Sequence, residues 1–293
     1  MKEERKKKWL IGYACSATTI TNCSVQGCSI TSSNSSCSCS GGLIGDTCPT
    51  TTTTTTNCSV GNCSISSSSS SFSSSSYSGG LIVFTNSATT IITDCSVQNC
   101  SVTSSLNSSS SYSGGLIGNT NTANITSSGC CNSKVNGIHA GGIAGYASNT
   151  NCNETFSNGN GIVNASNSGG GLFGQFCVNT NSSFQISNSY NIVPVIGNIT
   201  GGLIGEIVFS VSSNSNLNIS NCYSSSPLFR FGNTSIVGLA VGCISPQPTN
   251  FTFFSQVFCN NQTNNSLPLV GSGSFSNLST IESLPCSRIQ QQQ

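Results

Sequence analysis

Charge is nearly absent from this chain. Eight Lys or Arg and seven Asp or Glu make up 5% of its 293 residues, where ordinary globular domains carry about 25%. Seven of those fifteen sit in the first eight positions (Lys2, Glu3, Glu4, Arg5, Lys6, Lys7, Lys8), so the body keeps only Lys134, Arg230 and Arg288 against Asp46, Asp94, Glu154, Glu206 and Glu282. Phosphate backbones are bound by clustered Lys and Arg, and nucleic acid is therefore excluded as a partner. Histidine is reduced to His139. A His-Glu-x-x-His zinc helix needs two histidines one turn apart, so that chemistry is excluded as well. Apolar runs are short, far below the 18 or more residues of a membrane-spanning helix. The basic start is followed only by Trp9 to Ala14, less than the apolar core of 7 to 15 residues that a secretory signal needs. Residues 1–14 read as a basic N-terminal segment, either the start of a fragment or an unconventional signal.

What is abundant is Ser, Thr, Asn and Gly. Such a composition often means disorder, because polar chains bury too little apolar surface to offset ordering entropy. Here 35% of the residues are hydrophobic and they recur at fixed places, which points to an ordered body. The purest tracts, 50–56 and 66–76, are expected to be loops thrown out of it. Eighteen Cys and seventeen Asn-x-Ser/Thr sites favour an extracellular or cell-surface compartment, where thiols oxidise and such asparagines are glycosylated.

An internal repeat organises the chain. Gly41-Gly42-Leu43-Ile44-Gly45 returns as Gly79-Gly80-Leu81-Ile82, as Gly114-Gly115-Leu116-Ile117-Gly118 and as Gly141-Gly142-Ile143-Ala144-Gly145. It returns again as Gly170-Gly171-Leu172-Phe173-Gly174 and Gly201-Gly202-Leu203-Ile204-Gly205, with a decayed copy at 238–242. Between copies lies a second element, Asn22-Cys23-Ser24-Val25, Asn57-Cys58-Ser59-Val60 and Asp94-Cys95-Ser96-Val97, echoed at Asn188-Ser189-Tyr190 and Asn221-Cys222-Tyr223. In the first three repeats it doubles five residues on, at Cys28, Cys63 and Cys100.

Alternation puts Cys and Val or Ile on one face and Ser on the other. The step of five breaks that alternation, which predicts a corner at Gln26-Gly27, Gly61-Asn62 and Gln98-Asn99, where Gly and Asn accept positive φ. Short strand, corner, short strand is the path of a β-solenoid. The motif glycines are expected where the backbone turns or approaches a neighbour, with Leu43, Leu81, Leu116, Leu172 and Leu203 pointing inward. The expected fold is all-β: a parallel β-helix of about six or seven degenerate coils, right-handed as parallel crossovers usually are. Repeats cover 15–245, a cap or decayed coil 246–286, and a disordered tail 287–293.

The GGLIG copies at 41, 114 and 201, together with NCYSS at 221–225, resemble the GLUG motif repeat. That repeat occurs in bacterial surface proteins, including immunoglobulin A peptidases, and in large surface proteins of some protists. The resemblance spans about residues 20–245 and implies a scaffold. The peptidases that carry the repeat use a separate zinc domain, which this chain lacks the histidines to build.

Candidate chemistry is sparse. Cys23, Cys58 and Cys95 occupy equivalent positions, as do Cys28, Cys63 and Cys100, so each set is either a source of disulfides between coils or a ladder of small apolar side chains. Cys37-Ser38-Cys39 and Cys130-Cys131 lack the spacing of structural zinc sites. No metal or cofactor is expected. Parallel β-helices also host pectate-lyase-like enzymes, which need paired carboxylates on one face. Here Asp46 and Glu206 both follow the glycine motif but several coils apart. The leading expectation is a non-enzymatic surface or secreted scaffold that contacts a protein or glycan ligand. The alternatives are a glycan-active β-helix enzyme and a fragment of a larger surface protein.

Overall fold

A computed structural model describes residues 11–14, 16–34, 37–47, 52–69, 75–85, 89–108, 110–179, 183–209, 216–231, 235–245, 252–259, 267–268 and 270–272. Among these residues the chain forms only strands, all paired in parallel, in sheets of nine, twelve and fourteen strands. One coil shows the path. From the glycine pair at 79–80 the chain enters Ile82–Thr85 in the nine-stranded sheet, then Thr89–Thr93 and Ser96–Gln98 in the fourteen-stranded sheet. It then runs through Ser101–Thr103 and Ser110–Gly114 in the twelve-stranded sheet to the next glycine pair. The fold is the expected β-solenoid. Ile44, Ile82, Ile117, Ala144, Phe173, Ile204 and Val241 stand in register, six steps from first to last. Nine strands at about 4.8 Å spacing make a stack about 38 Å long.

Corners lie where positive φ is accepted. Gly27, Asn62 and Asn99 have φ of 61°, 53° and 52°, at the corner the spacing predicts. A second corner lies five residues before these, at Asn22, Asn57 and Asp94, and recurs at Ser127, Glu154, Asn188 and Asn221, all between 47° and 56°. Asn and Asp tolerate this conformation through their short polar side chains.

The two homopolymer tracts overturn an expectation. Thr52–Thr56 is a strand of the fourteen-stranded sheet, with Thr53 and Thr55 buried, and the serine tract supplies Ser64–Ser69 and Ser75–Gly79; residues 50–51 and 70–74 lie outside the described residues. Serine is kept inside by pairing hydroxyls: Ser67 Oγ bonds Ser76 Oγ at 2.7 Å and Ser78 Oγ at 2.8 Å, and Ser113 Oγ donates to Ser104 Oγ at 2.7 Å. In later coils the same lobe is apolar, built on Val135, Ala140, Val163, Ala165 and Val195. The cross-section thus has a main core of stacked Leu, Ile, Val and Cys and a smaller lobe between the two halves of the twelve-stranded sheet.

Strands Thr252–Cys259 and Val270–Ser272 pair with Asn216–Ser224 and Val241–Ser245. Residues 246–286 therefore contribute a further partial coil. Apart from 267–268, their remainder, with 1–10 and 287–293, is outside the described residues.

Candidate functional site

The motif glycines are conformationally ordinary; none of them has positive φ. Their requirement is space. A Cβ on the first glycine of each pair would lie 1.7 Å from the Ile82 carbonyl oxygen at Gly79, 1.7 Å from that of Ile117 at Gly114, and 1.8 Å from that of Ile204 at Gly201. Gly41, Gly141 and Gly170 face the equivalent carbonyls at 2.4, 2.1 and 1.8 Å. A Cβ on the second glycine would strike both the next coil and an inward side chain of the fourteen-stranded sheet. At Gly80 these are the Gly115 oxygen at 2.0 Å and Val97 at 2.7 Å. At Gly115 they are the Gly142 oxygen at 2.0 Å and Cys130 Sγ at 2.5 Å, and Gly42, Gly142, Gly171 and Gly202 repeat the arrangement. The third glycines, Gly118, Gly145, Gly174 and Gly205, press on the backbone of the preceding coil at 2.4–2.6 Å. Leu43, Leu81, Leu116, Leu172 and Leu203 are fully buried as expected.

This corner folds the outer faces of two strands toward each other and makes a furrow along the axis. One wall is the outward column Cys39, Tyr77, Tyr112, His139, Ser168, Ile199. The other is Asp46, Phe84, Asn119, Tyr146, Gln175, Glu206. The walls touch: Tyr77 and Phe84 rings lie 5.4 Å apart, and Tyr112 packs edge-on against Tyr146 at 5.2 Å. Tyr77, Tyr112 and His139 stack along the first wall at 5.8 and 5.1 Å. Toward the other end, Ser168 Oγ and Gln175 Nε2 donate to Glu206 Oε2 at 3.1 and 3.0 Å.

Burial sets the ionisation of the furrow. Desolvation lowers the His139 imidazole to about 4 and raises the Tyr112, Tyr146 and Cys177 groups, because burial disfavours each charged form. His139 is neutral at pH 7, and its Nδ1 is buried without a partner. Burial also raises the Asp46 carboxyl, against the opposing hydrogen bond from the Thr47 N–H at 2.7 Å. The furrow thus offers half-buried aromatic edges in its first coils and neutral or singly charged hydrogen-bonding groups in its later ones. Sequence reasoning missed Tyr77, Phe84, Tyr112 and Tyr146. Tyr77 and Tyr112 carried a signal, an aromatic two residues before the glycine pair, at Tyr77-Ser78-Gly79 and Tyr112-Ser113-Gly114.

The cysteines of the repeat form ladders and carry free thiols. Each thiol donates to the carbonyl two residues back: Cys58 to Thr56 at 3.3 Å, Cys95 to Thr93 at 3.2 Å, Cys63 to Gly61 at 3.1 Å, Cys100 to Gln98 at 3.1 Å, and Cys23 and Cys28 likewise at 3.4 Å. The Cys63 and Cys100 sulfurs also accept from the preceding coil, from the Cys28 N–H at 3.3 Å and the Cys63 N–H at 3.4 Å. Ser128 and Ser133 continue the two columns with the same bonds, to Thr126 at 2.7 Å and Cys131 at 2.9 Å. Ser takes over from Cys in these columns because either can close the corner with its one donor.

No protein-family model and no curated protein sequence matches the chain. A solved structure from Bacteroides ovatus, provisionally named an immunoglobulin A1 protease, is similar with a TM-score of 0.45 and 16% identity, over 91% of this chain and 65% of that one. This chain therefore spans about two thirds of that protein's length. No helix among the described residues is long and apolar enough to cross a membrane.

Proposed function

We propose that the chain is a non-enzymatic, extracellular or cell-surface scaffold of the GLUG-repeat kind, which holds an adhesive strip, the aromatic furrow, along a stiff uncharged rod. One observation carries the reading. Asp46 and Glu206 share a wall of the furrow but stand five coil steps apart, roughly 24 Å at about 4.8 Å per step. Glycoside-cleaving carboxylates work across one bond at roughly 5 to 10 Å, so these two cannot act on the same linkage. Asp94 and Glu154 lie on a different corner, exposed among the positive-φ residues.

The glycine motif and the Asn-Cys element support the GLUG reading by their roles. One closes the corner through backbone approach and the other opens the next strand through positive φ. The ligand is a neutral protein or glycan surface, since the furrow has no cluster of charge to select an ionic one. Antibody labelling of intact, unpermeabilised cells tests the compartment, and binding of the purified chain to arrayed glycans and extracellular proteins tests the strip. Tyr112→Ala with Tyr146→Ala should abolish capture. Release of reducing ends or unsaturated products from polysaccharide by the wild-type chain would overturn the non-enzymatic reading.

A further inference from the structure

The two cysteine columns have a property that their serine continuations lack. Ser59 N–H bonds the Cys23 carbonyl at 2.9 Å and Ser96 N–H the Cys58 carbonyl at 2.9 Å, while Ser64 and Ser101 do the same with Cys28 and Cys63 at 2.8 and 2.9 Å. Cys23, Cys58 and Cys95 are thus stacked one per coil, and so are Cys28, Cys63 and Cys100. Their Cα atoms are about 4.8 Å apart, inside the 4.4–6.8 Å that a disulfide accepts. Within the second column the Cys28 N–H reaches Cys63 Sγ at 3.3 Å and the Cys63 N–H reaches Cys100 Sγ at 3.4 Å, so each sulfur there lies against the next cysteine. A column of three thiols that ends on a serine can hold one disulfide and leaves one thiol over.

We propose that the two columns are an oxidative staple, forming Cys23–Cys58 and Cys28–Cys63 and thereby locking the first described coil onto the second. Access selects these pairs. Cys23 and Cys28 are partly exposed, whereas Cys95 and Cys100 are buried at 1% and 3% exposure. The first described coil is also where a tie has most effect, since Val25, Cys23 and Cys28 are only partly buried against the core.

The chemistry needs an external disulfide such as oxidised glutathione. The Cys23 thiolate attacks one of its sulfurs and releases one glutathione thiol. The Cys58 thiolate then attacks Cys23 Sγ of the mixed disulfide and releases the second. Two protein thiols become one disulfide, one glutathione disulfide becomes two thiols, and the two protons pass to the released thiols. The Cys28–Cys63 pair follows the same steps. Operation of the staple in the cell rests on the extracellular reading above; its capacity to form does not.

The test uses the full chain, purified reduced, equilibrated under native conditions in oxidised glutathione, acid-quenched, alkylated and mapped by mass spectrometry. The expected result is Cys23–Cys58 and Cys28–Cys63, with Cys95 and Cys100 alkylated. Absence of disulfides between coils, pairing of Cys58 with Cys95 or Cys63 with Cys100, or pairing across columns would each overturn the proposal. A second readout is native proteolysis within residues 16–34, which oxidation should slow by about tenfold or more. Cys23→Ser with Cys28→Ser should abolish that slowing and leave the reduced rate unchanged, since serine already fills both columns at 128 and 133. A redox effect that persists in the double variant would also overturn it. Surface labelling of cells reports on the compartment separately, so failure of the staple and failure of the extracellular reading are distinguishable.

Discussion

Replacing Gly115 by Ala should be among the most damaging single-methyl changes this fold can suffer. The added Cβ would lie 2.0 Å from the Gly142 carbonyl oxygen, 2.5 Å from Cys130 Sγ and 2.7 Å from Cys130 Cβ, where ordinary contacts sit near 3.5–4.0 Å. Relief requires moving the next coil by more than about 1 Å. That coil is fixed by the bonds from Gly115 N to Gly141 O at 3.0 Å, Leu116 N to Ile143 O at 3.0 Å and Gly142 N to Gly171 O at 3.1 Å. Overpacking costs about 1–3 kcal/mol, and each loosened hydrogen bond adds about 1 kcal/mol, so a loss of about 3–5 kcal/mol is expected. Gly27→Ala is the control, because it has positive φ and nothing within 4 Å of its added Cβ. It should cost only the left-handed penalty of about 1–2 kcal/mol, partly offset by about 0.4–1 kcal/mol from a stiffer unfolded chain. Urea unfolding under reducing conditions, followed by circular dichroism, measures both. Equal costs at the two positions would refute the claim that the motif glycines serve close approach rather than backbone freedom.

Thr55→Val should stabilise the protein by about 1 kcal/mol, seen as a higher urea midpoint, because the Thr55 hydroxyl is buried without a partner in the column of Ile20 and Ile92. A lower midpoint would mean that the hydroxyl is satisfied. Asn57→Ala should cost about 1–2 kcal/mol and Asn57→Gly much less, since φ there is 52°; similar losses for both would remove φ as the reason for Asn. The His139 imidazole should titrate near 4 by NMR, below the unfolded value of about 6.5. Between those values the unfolded chain binds more protons, so His139's contribution is full above about pH 6.5 and lost as pH falls toward 4. His139→Gln should flatten the stability profile in that window, and an unchanged profile would count against the burial of the ring.

Periodicity made the architecture legible. Glycine pairs every 27–38 residues and Cys-Ser-Val triplets set five apart were enough to place strands, inward leucines and the corner at Asn62 and Asn99. The Thr and Ser strands were not legible, because hydropathy takes serine for a solvent residue. Ser67, Ser76 and Ser78 become interior only once two strands bring their hydroxyls within 2.7–2.8 Å.

The aromatic furrow was hidden for a related reason. Tyr112 is followed by Tyr146 thirty-four positions later, and no spacing rule pairs them until the glycine corner folds one wall against the other. The sequence by itself determined the repeat, the inward face and the near-absence of charge, since each is a property of neighbours along the chain. Only the tertiary structure decided why the glycines are there, which cysteines touch, and that Asp46 and Glu206 share a wall but not a site. Each of those depends on distances between coils, and stacking sets these through backbone hydrogen bonds that the pattern along one strand does not encode.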